Sequence, residues 1–313
     1  MPPIDNTGLY EKYELEEQPD KGLSIFLPYR PPYRFQEMLT FLEGRAIPGV
    51  ELVAKDEYIR TVRFAGPNGK LFFGCLRVGH DPEKKALTAT IGEELRPVLP
   101  QIIERLRRLF DLDSDPGLIY EALGLMREIR PDVPVLGTRV PGSFDAFEMA
   151  VRAVLGQQIT VKAASTLAGR LVGAFGCKTD TDIPELQWLF PLAADIVLLG
   201  EDVENQLGAL GIIRSRARTI YELAKAFEDG SINFTSPDNV ETEIEKLMTI
   251  PGIGPWTAKY IAMRSMEWSD AFLETDAGIK KALSPYTPKE MRELAKAWQP
   301  WRSYATVNLW NSL

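Results

Sequence analysis

The 313-residue chain is short of the residues that carry most recognisable chemistry. It has two cysteines, Cys75 and Cys177, far apart in sequence. They are too few for a disulfide framework, a four-cysteine iron–sulfur cluster or a cysteine zinc knuckle. The single histidine, His80, lies in Val78-Gly79-His80-Asp81-Pro82, which reads as a surface turn. Histidine-based zinc sites and Ser-His-Asp triads therefore have no candidate. No uninterrupted apolar stretch approaches the ~20 residues of a membrane span. The start, Met1-Pro2-Pro3-Ile4-Asp5, lacks the basic region and apolar core of a secretory signal, so a reducing, intracellular setting is expected. Positive charge is also in deficit: 36 Lys and Arg against 44 Asp and Glu leave a net −8. That argues against a generic nucleic-acid binder, whose usual footprint is basic.

What is present is an ordinary globular balance, 45% hydrophobic and 26% charged, in a length that suggests about two domains. Residues 1–22 are polar and acidic and read as a tail. From Leu23 strand-like runs appear at 23–27, 51–54, 58–64, 70–78 and 86–91, two of them joined by the turn signal Gly66-Pro67-Asn68-Gly69. Helical spacing at 35–45 (Phe35, Met38, Leu39, Leu42) and 101–110 (Ile102, Ile103, Leu106, Phe110) completes an α+β domain with an antiparallel sheet over 23–116. Beyond it strand signals vanish. Helical patterns follow at 117–128, 144–155, 160–175, 184–190, 203–208, 214–228, 241–248, 255–266, 276–283, 288–298 and 301–313, giving an all-α region.

The most informative segment joins two helical patterns: Leu247-Met248-Thr249-Ile250-Pro251-Gly252-Ile253-Gly254-Pro255-Trp256-Thr257-Ala258. Gly252 and Gly254 permit positive φ and close approach, and Pro255 suits the first turn of a helix. Exposed amides of Gly252 and Gly254 at a helix N-terminus would form an anion site suited to a DNA phosphate, with the Thr257 hydroxyl as a further donor. A plain helix–turn–helix connection with a packed glycine pair is the alternative.

This hairpin, followed 19 residues after Thr257 by Asp276 in Phe272-Leu273-Glu274-Thr275-Asp276, resembles the helix–hairpin–helix and aspartate signature of base-excision DNA glycosylases, and most closely the AlkA-type 3-methyladenine DNA glycosylases. Phe147-Glu148 to Gly156-Gln157, the helix from Leu210-Gly211 to Ala224, and Pro300-Trp301-Arg302-Ser303-Tyr304-Ala305 are similar too, so the resemblance covers nearly the whole chain after the tail. It implies a TATA-binding-protein-like antiparallel sheet domain followed by an all-α helix–hairpin–helix glycosylase domain. The helical part would divide into 145–268, which holds the hairpin, and 117–144 with 269–313, beside the active site.

The resemblance makes Asp276 the catalytic carboxylate. Thr275-Asp276 also stands where an N-cap belongs, just before the run Ile279 to Leu283. The two roles are compatible. Breaking an N-glycosidic bond builds positive charge on the sugar, which a fixed anion stabilises. Strand-cutting relatives use a lysine just after the hairpin. Here that position holds Trp256, and Lys259 is carried roughly 4.5 Å further along the helix axis, so the implied activity is monofunctional base release that leaves an abasic site.

A flipped, alkylated purine would meet the aromatic residues at family-matching positions, Phe41, Trp256, Tyr260 and Trp310, although each could equally be core. Trp256 and Tyr260, spaced i and i+4, share a helix face. In Gly156-Gln157-Gln158-Ile159-Thr160, Gln158 matches the intercalating residue that fills the vacated stack, with Gln157 beside it; a polar interhelical loop is the bland alternative. The resemblance further implies a monovalent cation (sodium or potassium) on the main-chain carbonyls of Met248, Ile250 and Ile253, and no cofactor required for chemistry. Ala277 and Gly278 are small where some relatives are bulkier, which would open the pocket. The implied partner is double-stranded DNA with damaged bases, bound by a monomer, away from any membrane, in a DNA-associated intracellular location. An oxidised-purine glycosylase/lyase and a non-catalytic helix–hairpin–helix DNA-binding protein are the alternatives.

Charge by segment removes the objection raised by the net −8. Residues 1–20 carry one base and six acids, 178–204 one and seven, and 228–246 one and six. The rest of the chain is +8 and contains the hairpin, Asp276 and the proposed wedge. DNA affinity of this kind is modest and salt-sensitive.

Overall fold

The computed structural model describes residues 13–18, 22–66, 69–234 and 239–313. Six strands form one antiparallel sheet: β1 (Leu15–Gln18), β2 (Gly22–Pro28), β3 (Glu51–Ala54), β4 (Glu57–Ala65), β5 (Leu71–Asp81) and β6 (Ala86–Ile91), in the order β1-β2-β6-β5-β4-β3. Two helices cover one face, α1 (Phe35–Glu43) and α2 (Leu99–Leu109). Helix α2 buries Leu99, Ile102, Ile103, Leu106 and Leu109, one stripe of a 3.6-residue period. Each such side chain contributes about 1.5–3 kcal/mol on burial.

Two expectations for this domain change. Most of the supposed tail, and Pro67-Asn68 of the turn, lie outside the described residues. Within the described part of the tail, however, Leu15–Gln18 is an edge strand whose Leu15 opposes Ile25. Its Glu14 and Glu16 are paired with Lys84, and Glu17 with Arg96, so acidity there serves the sheet edge. His80 is not on a surface turn. It belongs to β5, bonds Tyr29 Oη at 2.8 Å and packs among the rings of Tyr29, Tyr33 and Phe35. Desolvation lowers its pKa, against a smaller rise from Asp81.

The helical region comprises α3 (Pro116–Ala122), α4 (Ala146–Leu155), α5 (Val161–Phe175), α6 (Ala193–Val197), α7 (Val203–Gly208), α8 (Arg214–Glu228), α9 (Val240–Thr249), α10 (Pro255–Ser265), α11 (Ala277–Ala282), α12 (Pro288–Leu294) and α13 (Arg302–Asn311). The helix expected at 184–190 does not form. Strands β7 (Cys177–Lys178) and β8 (Trp188–Leu189) pair instead. Tertiary contacts override the local periodicity: Trp188 N donates to Gly49 O at 3.0 Å, and Trp188 O accepts from Thr61 Oγ1 at 2.5 Å. A Cβ on Gly49 would stand 2.8 Å from the Trp188 ring, so only glycine admits this contact.

The sheet joins the helices through buried charges. Arg60 Nη2 donates to Glu148 Oε2 at 2.7 Å, and Arg152 Nη1 to Glu51 Oε2 at 2.9 Å and to Glu148 Oε1 at 3.0 Å. Tyr58 Oη donates to Glu51 Oε1 at 2.5 Å. Burial would raise the Glu51 carboxyl, but Arg152 and Arg60 hold it below the usual range.

Candidate active site

One cleft of about 1200 Å³ lies where α4, α5, α10, α11 and α13 converge. Asp276 stands in its wall as the N-cap of α11. Its Oδ1 accepts from Gly278 N at 2.8 Å, Ile279 N at 3.1 Å and Trp310 Nε1 at 2.9 Å. All three bonds fall on one oxygen, which leaves Oδ2 for the cleft. Capping thus occupies one oxygen of the carboxylate and leaves the other without a hydrogen-bond partner among the described residues.

Trp256 and Tyr260, on one face of α10, stack with ring centroids 5.1 Å apart and 17° between planes. Trp310 meets Tyr260 edge-on at 6.3 Å. These three rings and Asp276 line the same cleft. Phe41 is not among the residues that line it; Arg45, which is, lies over the Phe41 ring at 3.6 Å. Gly278 does not widen the cleft either. A Cβ there would lie 3.0 Å from Trp310 Cδ1, so the glycine admits the indole to Asp276 rather than leaving space. Ala277 remains exposed on the cleft wall.

Lys259 turns away from the cleft. Its Nζ lies 3.5 Å from both Phe272 O and Glu274 Oε2.

The hairpin between α9 and α10 carries Gly252 at φ +93°. A Cβ there would fall 2.1 Å from Thr219 Oγ1, the hydroxyl that donates to Pro251 O at 2.7 Å. Gly254 differs from expectation. Its φ is −92° in extended backbone, as the N-cap of α10, so it needs no left-handed freedom. No atom lies within 4 Å of a Cβ placed there, and closeness to a ligand is what its small size offers. Both glycines are exposed, while Thr257 is 4% exposed and borders the cleft. Its hydroxyl accepts from Gln157 Nε2 at 3.1 Å, which leaves its own hydrogen to donate.

Gln157 ties the 156–160 loop to the hairpin, since the same Nε2 donates to Gly252 O at 2.9 Å, and its backbone carbonyl accepts from Arg216. The neighbouring Gln158 is exposed at the cleft rim with φ +56°, a conformation that L residues seldom adopt. Met248, Ile250 and Ile253 surround the hairpin turn. Ile250 O accepts from Ile253 N at 3.1 Å. Among the described residues no group of three or more His, Cys, Asp or Glu is placed to hold a metal ion.

Sequence reasoning missed the guanidiniums of the cleft wall, Arg45, Arg152 and Arg264. Arg264 is buried, donates to the carbonyls of Pro141 and Gly142, and donates to Tyr260 Oη at 2.8 Å. Burial alone would raise the Tyr260 phenol, but Arg264, Arg45 and Arg152 outweigh it and hold the phenol below its ordinary value. A signal did exist: Glu148 and Arg152, spaced i and i+4, interrupt an otherwise apolar helix, as Arg264 interrupts α10.

Comparison with known proteins bears on the family of the chain and on its fold. Residues 24–145 match the family model described as the AlkA N-terminal domain. The chain is 36% identical to DNA-3-methyladenine glycosylase 2 of Escherichia coli over 91% of its own length and 95% of that protein. It is 37% identical to a Mycobacterium tuberculosis protein named probable bifunctional transcriptional activator/DNA repair enzyme AlkA, over 93% of this chain and 57% of the longer one. The fold superposes on the 3-methyladenine DNA-glycosylase of Archaeoglobus fulgidus with a TM-score of 0.70 at 19% identity, covering 92% of this chain and 97% of that one. On the identity and coverage shared with the Escherichia coli protein, together with the N-terminal domain match, the chain belongs to the AlkA family of DNA-3-methyladenine glycosylases.

Proposed function

We propose that the chain is a monofunctional DNA glycosylase that releases alkylated bases of the 3-methyladenine and 7-methylguanine type from double-stranded DNA and leaves an abasic site. One observation carries this reading: Asp276, anchored through Oδ1 by three donors, shares a cleft with the stacked rings of Trp256 and Tyr260.

The hairpin amides of Gly252 and Gly254 hold a backbone phosphate, and Gln158 enters the stack as the target nucleotide leaves it. The extruded base meets the aromatic wall, where its electron-poor ring is attracted to π faces. As the C1′–N bond breaks, electrons pass to the departing base and positive charge grows on the sugar. The free Oδ2 of Asp276 faces that charge and stabilises it. The cationic base leaves neutral with that electron pair, while water adds its oxygen to C1′ and gives up a proton to solvent. No lysine amine reaches the sugar, since Lys259 is held at Glu274, so no Schiff base forms.

The neutral carbonyl oxygens of Met248, Ile250 and Ile253 suit a monovalent cation, and Ile250 O keeps a lone pair beyond its bond to Ile253 N. Such an ion would add positive charge beneath the phosphate. The protein is proposed to act as a monomer.

The test is incubation with dimethyl-sulfate-treated duplex DNA. Free methylated purines and alkali-labile sites are expected, with no covalent adduct on borohydride treatment. Intact bases would reject the glycosylase reading, and a robust adduct would reject monofunctionality.

A further inference from the structure

The cleft wall holds more positive than negative charge. Arg152 is matched by Glu51 and Glu148, which also serve the buried Arg60. Arg264 is satisfied by two carbonyls and a phenol, without a carboxylate. Arg45 donates to Phe41 O at 3.3 Å, and its guanidinium carbon lies over the Phe41 ring, 3.6 Å from the centroid. Arg264 stands 4.8 Å from the centroid of that ring, so Phe41 fixes both cations. Among the described residues neither Arg45 nor Arg264 forms an ion pair. Arg264 is spent on its carbonyls and on Tyr260, whereas Arg45 is half-buried on the cleft wall with most of its five N–H donors uncommitted.

A planar guanidinium already held over a ring loses little further freedom when it meets an acceptor. It donates well to an exocyclic oxygen and repels a ring that carries positive charge. We propose that Arg45 is a specificity-determining residue of the cleft, which favours a neutral base bearing an acceptor oxygen over a cationic base. This inference rests on the glycosylase reading above and goes beyond it, because that reading explains attraction for electron-poor rings through the aromatic faces alone.

The test compares single-turnover release of three bases: hypoxanthine (neutral, with an oxygen), 3-methyladenine (cationic, without one) and 7-methylguanine (cationic, with one). Loss of a charge-assisted hydrogen bond predicts that Arg45→Met slows hypoxanthine release by about tenfold or more. Loss of repulsion predicts that 3-methyladenine release quickens several-fold. For 7-methylguanine the two effects oppose, and its rate moves least. Arg45→Lys keeps the charge without the fork, so it slows hypoxanthine release several-fold more than 3-methyladenine release. A change by one common factor for all three bases would overturn the inference, since it would mean that Arg45 only shapes the cleft. Wild-type protein that releases none of them would overturn the glycosylase reading itself. Melting curves separate either result from misfolding: Arg45→Lys, which retains the ring contact, carries the test if Arg45→Met fails to fold.

Discussion

Replacing Asp276 by asparagine removes a charge and almost nothing else. Asparagine ranks with aspartate as an N-cap, and its amide oxygen can accept from Gly278 N, Ile279 N and Trp310 Nε1 as Oδ1 does now. The amide nitrogen takes the place of Oδ2. What disappears is the attraction between a carboxylate oxygen and the positive sugar of the transition state. Asp276 is half-buried, so an effective dielectric of about 20 is appropriate, and at a separation of about 4 Å the attraction is about 4 kcal/mol. That corresponds to roughly a thousandfold in rate. Asp276→Asn should therefore release bases about a thousand times more slowly in single turnover. It should bind duplex DNA as wild type does by fluorescence anisotropy and melt at nearly the same temperature. Asp276→Ala should lose the same rate and also about 1 kcal/mol of helix capping. An asparagine variant within tenfold of wild-type rate would refute the electrostatic argument. Equal melting of the two variants would refute the separation of the two oxygens.

Other expectations follow from the same geometry. Trp310→Phe removes one of the three donors on Oδ1 and should slow base release by about tenfold, with the stability largely kept; an unchanged single-turnover rate would reduce the indole to a packing wall. Gly252→Ala must relieve a 2.1 Å contact with Thr219 Oγ1 at φ +93°, a strain of about 1–3 kcal/mol, and should lower both melting temperature and DNA affinity. Gly254→Ala meets no atom within 4 Å, so it should melt normally and lose DNA affinity alone, as titration by anisotropy would show. Burial raises the Asp111 carboxyl to about 6, against the bonds from Val140 N and Tyr304 Oη. The unfolded chain releases this proton near pH 4 and the folded chain keeps it until about pH 6. Stability should thus fall as pH rises across that window, by at most about 3 kcal/mol. Asp111→Asn, which tolerates the left-handed φ of 51°, should flatten that slope in urea titrations between pH 4 and 6.

How much was legible follows from where the information lies. The hairpin, the N-cap aspartate and the Trp256–Tyr260 face are local patterns, each complete within a dozen residues. The cleft arginines are not. Arg152 meets Glu51 across 101 positions and Arg60 meets Glu148 across 88, and no short window announces such pairs. Phe41 was placed correctly in its helix, but the Arg45 guanidinium that covers it comes from the next turn of chain. The β7–β8 hairpin was misread because its backbone bonds go to Gly49 and Thr61, which periodicity at 184–190 cannot reveal.

The buried ion network also bears on inheritance. Glu51 and Arg60 belong to the sheet, and Glu148 and Arg152 to the helix that walls the cleft. Deleting the sheet would strand two ionised groups of the helix without half their partners, a loss of about 3–5 kcal/mol where a buried pair is broken. A related chain that dispensed with the sheet would have to change positions 148 and 152 in the same step, or nearly so. The sheet and these two positions of the cleft helix are therefore bound to change together.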